Sequence, residues 1–331
     1  KKSRIVVGSD APQQSGTYIQ FGTSSTVYLV ETSQVDSFLY NPLSLISNHI
    51  NESGKLSSYQ IFKSITLSGS RFDKPITIKN SSDSTNFAQY LLTTPVSCFA
   101  GNNSSNYVNN IRGLLADSVE YLNPTAAKLK SYGLDNPYVK VHAVYPDVTI
   151  DLSTSKPANN YVYMMQKGTN IVYKIATSKI PWVSVSMKDL LVGELFHPKL
   201  PSLSSINISS GGKSYTFKLG TAAAANSVTI NGKTLDYTNF LVFFANLTYP
   251  QITQLEQNQA LAKSSNKQIS ITYSYTNGKS SDTVTYYSDS SIIDAASVNG
   301  QVITTVSSSY VSHIMNDVVN MAANKTVSEI S

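Results

Sequence analysis

Four histidines and one cysteine are the side chains of this chain best suited to metal binding and nucleophilic catalysis. His49, His142, His197 and His313 fall in no recognisable ligand pattern such as H-E-x-x-H, where helical spacing turns two imidazoles to one face. His49 and His313 fall at corresponding places in two stretches that read as terminal helices, which assigns them a helix-end or core role. His142 points outward from the alternating run "VKVHAVY", and His197 precedes Pro198 in a linker. Cys98 stands in the apolar run "YLLTTPVSCFA", which predicts a buried thiol rather than a thiolate nucleophile. As the one cysteine, it excludes an intrachain disulfide.

A serine hydrolase usually shows its nucleophile on a sharp strand-to-helix turn, as in G-x-S-x-G. "SGS" at Ser68 and "SGG" at Ser210 read instead as hairpin turns. The chain contains neither G-x-G-x-x-G nor G-x-x-x-x-G-K, so no phosphate loop is expected. A glycosidase needs two partnered carboxylates. The acidic residues fall mostly at turns and helix starts, among them Asp36, Asp135, Asp147, Asp189 and Asp236, where Asp serves local hydrogen bonding. The tyrosines Tyr28, Tyr173, Tyr273, Tyr275, Tyr286 and Tyr287 lie in strand patterns. An aromatic face could bind glycan or stack on bases, but packing under a covering helix accounts for at least half of them. Catalytic, cofactor-binding and metal-binding residues are therefore all assigned as none, and no cofactor is expected.

The elements that would have to position any such site are written in the composition. Hydrophobic residues make up 41% of the 331, charged residues only 14%, and polarity comes from Ser, Thr, Asn and 21 tyrosines. Such side chains suit sheet surfaces, and the abundance of aromatic and β-branched residues opposes disorder. The net charge of +5 is scattered beyond "KKSR" and "KLK", which argues against a nucleic-acid partner. The longest apolar candidate, "FLVFFANL" from Phe240, is too short for a membrane span. The opening residues "RIVVG" read as a strand already under way, so natural sequence is expected to have preceded them, and any membrane anchor would lie there.

The chain also repeats itself. "RIVVGSDAPQQSGTYIQFGTSSTVYLVETSQVDSFL" from Arg4 lies over "VTIDLSTSKPANNYVYMMQKGTNIVYKIATSKIPWV" from Val148 with one gap. A fainter copy, "DTVTYYSDSSIIDAASVNGQVITTVSSSYVSHIMNDVV", starts at Asp282. Each reads strand, strand, tight turn, strand, helix. In the last, Asn299-Gly300 is a strong hairpin signal, and Asn277-Gly278 precedes it. Units open on hairpins as well, at "YQIFKSITLSGSRFDKPITIKN" and "LSSINISSGGKSYTFKLG". A helix is predicted after each: "SSNYVNNIRGLLADSVEYL", capped by Ser104 or Ser105, and "DYTNFLVFFANL", capped by Asp236. The predicted fold is α+β, with tandem repeats of an antiparallel β-meander and helices packed on one face. The expected units are 1–56, the C-terminal part of a first repeat; 57–199, a complete unit; and 200–331, a second, diverged unit, with boundaries near Leu56 and Leu200.

Within the middle unit, "AAKLKSYGLDNPYVKVHAVY" stops a helix at Gly133, folds Leu134 back on it and turns through Asp135, Asn136 and Pro137 into a strand. This "YGLDNP" turn, followed by "YVYMMQKGTNIVYKI", resembles the DUF4340 family of tandem extracytoplasmic domains, well in the middle unit and in part in the first. In the last unit the motif has decayed to "ALAKSSNKQISITY". The resemblance implies a secreted or membrane-anchored bacterial component, associated with ABC-transporter or gliding-type machinery, and it supplies no site residues to transfer. The expectation is a noncatalytic extracytoplasmic scaffold or binding module of a cell-envelope assembly, with protein partners and possible glycan contacts. Two competing readings are a hydrolase of envelope glycan or peptide, with a cleft where units meet, and a small-ligand receptor feeding a transporter. The triplets Asn51-Glu52-Ser53 and Asn246-Leu247-Thr248 fit glycosylation only in a eukaryotic source.

Overall fold

The computed structural model describes residues 4–12, 15–39, 41–52, 62–191, 195–220, 226–250, 252–256 and 258–330. Among them the strands form three antiparallel sheets. The first contains β1 (Ile5–Asp10), β2 (Thr17–Phe21) and β3 (Val27–Val30) in sequence order, followed by helix α1 (Thr32–Leu39). Pro42 then opens a 3-10 turn, Pro42–Leu45, capped by the Asn41 side chain, because proline lacks the N–H that would continue α1.

The second sheet begins with β4 (Ser64–Ser68), β5 (Ile76–Asn80), β6 (Tyr90–Thr94) and β7 (Cys98–Ala100). Helix α2 (Ser105–Val108), β8 (Ser118–Leu122) and α3 (Ala126–Ser131) come next. The meander β9 (Val139–Val144), β10 (Thr149–Thr154), β11 (Tyr161–Gln166) and β12 (Ile171–Ala176) leads to α4 (Met187–Leu191). The third sheet comprises β13 (Leu203–Ser210), β14 (Lys213–Leu219), β15 (Val228–Ile230), β16 (Lys233–Thr234) and, after helix α5 (Tyr237–Thr248), β17 (Ile252–Leu255). It finishes with β18 (Lys267–Tyr275), β19 (Asp282–Ser288), β20 (Ile293–Val298), β21 (Gln301–Ser307) and helix α6 (Ser308–Ala322).

Both nine-stranded sheets have the same strand order. The second runs β7-β6-β5-β4-β9-β10-β11-β12-β8 and the third β16-β15-β14-β13-β18-β19-β20-β21-β17. In each, the opening hairpins fan outward from the middle, a lone strand goes to the far edge, and the chain crosses back to lay down a four-strand meander. The strands β1–β3 correspond by sequence to β10–β12 and β19–β21. All three final hairpins turn on a glycine with positive φ, at Gly22, Gly168 and Gly300 (57°, 87° and 83°), a conformation that side chains with a Cβ rarely adopt.

Alternation explains the strands. In β9 Val139, Val141 and Ala143 are buried while Lys140 and His142 are exposed, and β18 buries Ile269, Ile271, Tyr273 and Tyr275 in the same way. Strands β19–β21 are buried on both faces: Tyr286, Ala296 and Ile303 belong to the main core, while Tyr287, Ala295 and Val302 form a small cluster with Leu261 and Ala262 on the other side. The main core runs without a break through both nine-stranded sheets. Phe99, Phe196 and Tyr273 form a ring relay across the junction, with centroids 5.9 and 5.2 Å apart.

Several local expectations change. The stretch from Ser104 to Leu122 is not one helix: α2 ends at Val108, Gly113 takes φ 65°, and Ser118–Leu122 becomes β8, paired with β12. Apolar positions at Ile111, Leu114 and Val119 satisfied a helical period, but Val119 is buried as part of an edge strand. Ser104 makes no side-chain cap bond. His49 is not helical either; it forms an isolated antiparallel bridge with Leu115. Asp236 does cap α5, accepting from Asn239 N–H at 2.7 Å. At the end of α3, Gly133 takes φ 68° and Leu134 N–H reaches back to the Leu129 carbonyl at 2.9 Å, closing the helix with a buried Leu134. The expected boundary at Leu56 lies outside the described residues. Leu200 opens a 3-10 turn, Leu200–Ser202, that runs directly into β13.

Candidate binding site at the junction of the two sheets

The turn between β18 and β19 carries Asn277-Gly278, with φ 77° at the glycine, and the Asn277 side chain accepts from Lys279 N–H at 3.1 Å. That turn directs Lys279 across the junction. Its Nζ lies 2.7 Å from Asp83 Oδ2, 2.8 Å from Asp282 Oδ2 and 3.1 Å from Thr85 Oγ1, and 4.3 Å from the centroid of the Tyr275 ring. Tyr275 donates its hydroxyl to Asp282 Oδ2 at 2.7 Å, and Asn299 Nδ2 donates to the other oxygen at 2.9 Å. On the opposite side, Thr85 N–H and Oγ1 both donate to Asp83 Oδ1, at 2.8 and 2.6 Å. The carbonyl of buried Thr85 accepts from Lys199 N–H at 2.8 Å and from Ser202 Oγ at 3.3 Å. Two segments distant in sequence therefore meet at one ammonium group, and a third, residues 199–202, is tied to Thr85.

Electrostatics follow from that geometry. Burial works against ionisation of Asp83, but its bonds to Lys279 and Thr85 outweigh this and hold the carboxyl below its ordinary 3.8. Burial likewise opposes the Lys279 charge, and the two carboxylates overcome it, so the ammonium is held more firmly than usual. Burial, reinforced by the bond to Asp282, pushes the Tyr275 phenol upward. A catalytic lysine or phenolate needs the opposite displacement. The cluster stabilises a charge and joins segments; it does not prepare a nucleophile.

Beside the junction opens a cleft of about 490 Å³, lined among others by Arg71, Phe72, Lys74, Pro95 and Met187, with Leu255 of β17 as the wall from the third sheet. Arg71 donates to the carbonyls of Val183 and Ser184, at 3.0 and 2.5 Å, and stacks over Phe72 at 5.2 Å. The cleft thus combines an apolar floor with a rim of mixed charge, where Asp73 stands beside Arg71 and Lys74, a surface suited to a small polar or aromatic ligand.

The remaining reactive residues are dispersed. His142 Nδ1 lies 2.6 Å from Asp151 on the exposed face of the second sheet. His313 lies 3.3 Å from Asp317, four residues on in α6, an i,i+4 pair present in the sequence and not singled out there. The His197 ring packs at a tilt against Phe87, centroids 4.9 Å apart, and burial pulls its pKa below 6.5. Cys98 is buried in β7 and its thiol is pushed up to about 12. Asp189 and Asp236 serve helix starts, whereas Asp147 forms a two-bond ion pair with buried Arg112, both bonds at 2.9 Å. Of the tyrosines, Tyr173, Tyr273, Tyr275, Tyr286 and Tyr287 are buried and Tyr28 is exposed on the first sheet. Asn51 and Asn246 are buried and hydrogen-bonded, so neither offers its amide for glycosylation in the folded chain. Among the described residues, no three His, Cys, Asp or Glu side chains converge to hold a metal ion, and no helix is long and apolar enough to cross a membrane.

Sequence reading passed over Asp83, Thr85, Lys279 and Asp282. The available signals were the Asn277-Gly278 turn and the Asp83-Ser84-Thr85 triplet, each an ordinary turn on its own. In comparison with known proteins, residues 99–269, just over half of the chain, match the model of a family described as a domain of unknown function, DUF4340. No curated protein and no solved structure matches the chain.

Proposed function

The chain belongs to the DUF4340 family, and from that premise we propose that it is a noncatalytic binding module, an extracytoplasmic scaffold in a bacterial cell-envelope assembly. The observation that carries this reading is the junction. Its capable side chains, Lys279, Asp83, Asp282 and Tyr275, bond to one another across two copies of the same sheet. Together with the continuous core, they make a stiff, two-sheet body with broad surfaces rich in Ser, Thr and Asn. Such repeats offer extended faces to a partner. Placement outside the cytoplasm and association with transporter or gliding-type machinery rest on the family resemblance and the sparsely charged composition.

Affinity capture with the purified chain from the source cell's envelope fraction tests the reading. Recovery of a defined protein partner is expected; recovery of neither protein nor glycan overturns it. The small-ligand reading has one observation in its favour, the 490 Å³ cleft with Arg71 and Lys74 at its rim. Thermal-shift screening against sugars, amino acids and carboxylates separates the two, since a receptor gains stability with its ligand bound.

A further inference from the structure

The segment after α6 has neither helix nor strand of its own, yet it is held at alternating backbone positions. Asn239 of α5 donates its Nδ2 to the Lys325 carbonyl at 2.9 Å and accepts at Oδ1 from Val327 N–H at 2.9 Å. Seven residues on, Asn246 donates its Nδ2 to the Ser328 carbonyl at 2.8 Å and accepts from Ile330 N–H at 3.1 Å. Each amide engages a carbonyl and an N–H two residues apart, as a parallel strand would. Seven helical residues rise about 10.5 Å, and three extended residues span about 10 Å. The two clamps therefore fall in step with an extended peptide.

Side chains complete the match. Val327 is buried and Ile330 packs against the same core, while Lys325, Thr326, Ser328 and Glu329 face solvent. Asp317 of α6 accepts from the Asn246 Nδ2 at 2.8 Å, which fixes the end of the amide turned to the peptide, because an ionised carboxylate only accepts. Tyr310 of α6 donates to the Asn246 and Leu247 carbonyls, at 3.0 and 3.3 Å, and ties the two helices together. A cavity of about 330 Å³ lies beside the end of the segment, between Ser328, Glu329 and Ile330 on one side and Ser307, Tyr310 and His313 on the other. Recognition here uses main-chain groups and two aliphatic anchors, and none of these depends on the peptide belonging to the same chain.

We infer that the α5–α6 groove is a recognition site for an extended peptide segment of a partner protein with aliphatic residues at positions i and i+3, and that residues 324–330 occupy it in cis as a displaceable strap. The inference rests on the binding-module reading and gives the chemistry of its partner. The test uses the full chain and a fluorescein-labelled synthetic peptide of residues 324–330. In the variant Val327→Asp/Ile330→Asp, whose own strap is weakened, the peptide is expected to bind saturably and at least tenfold more tightly than to the wild type. Adding Asn239→Ala and Asn246→Ala should weaken that binding at least tenfold again. Absence of peptide binding to a strap variant with a native circular dichroism spectrum overturns the inference, as does binding indifferent to the two asparagines. Should the strap variant fail to fold, hydrogen exchange on the wild type decides. The Val327 and Ile330 amides should exchange at least a hundredfold faster than the central amides of α6. Exchange of all of them together, only through global unfolding, would mark residues 324–330 as a permanent part of the fold. Peptide binding is read on purified protein, so its failure leaves the envelope-capture result standing on its own.

Discussion

Replacing Lys279 by Met keeps the length of the side chain and removes the cation that, among the described residues, faces both Asp83 and Asp282. The exposures of the three side chains are 28%, 20% and 13%, so the site lies between surface and interior. Surface ion pairs contribute about 0–1 kcal/mol and breaking a buried one costs about 3–5 kcal/mol; with two carboxylates orphaned under partial solvent screening, about 2 kcal/mol is expected. For a chain of 331 residues with one continuous core that corresponds to a fall in Tm of about 3 °C. The pH dependence carries a second signature. In the wild type Asp83 is held below 3.8, so its contribution is complete above that value and is lost as pH falls through the lower, folded-state value. Without Lys279 the carboxyl keeps only the Thr85 bonds against burial, so it ionises less readily than in the wild type, and the stability difference closes as both carboxyls take up a proton. Melting curves by circular dichroism from acid pH to pH 7 should therefore show the gap between the two proteins narrowing toward acid. A variant that melts within 1 °C of the wild type at pH 7, or a gap of constant width, would refute this account of the junction.

Gly133→Ala should cost about 1 kcal/mol by urea unfolding, since its φ of 68° is strained for alanine while the nearest atom to a new Cβ, in Ser155, is 3.6 Å away. Gly69→Ala should cost several times more, because there the Cβ would stand 2.6 Å from the Tyr138 carbonyl oxygen. The Cys98 thiol, pushed up to about 12 by burial, should resist an aromatic disulfide reagent at pH 8 in the native protein and react at once in denaturant. Asp294 is buried, with Oδ2 unpaired among the described residues, and burial raises its pKa against the opposing bond from Gln268 Nε2 at 2.8 Å. Its penalty is complete above the raised value and disappears at acid pH, so Asp294→Asn should gain about 1 kcal/mol at pH 7 and nothing near pH 3.

The features legible in the sequence are those set by neighbours a few positions apart. Alternation in "VKVHAV" and "ISITYSY" required only that one face of each strand meet a core. Gly133, Gly300 and Asp236 each satisfy a backbone demand that arises within four residues, and the threefold copy announced that whatever one stretch did the others would repeat. The stretch from Ser104 to Leu122 was different: its apolar spacing fits a helix and an edge strand alike, and only the free edge of β12 decided for β8. Tertiary structure alone brought Asp83 within 2.7 Å of Lys279, 196 residues away, and laid residues 325–330 along Asn239 and Asn246. Local propensity is blind to such pairs, because their partners become neighbours only after two sheets have shared a core, and nothing in a turn-forming Asp or a helical Asn marks the distant group it will meet.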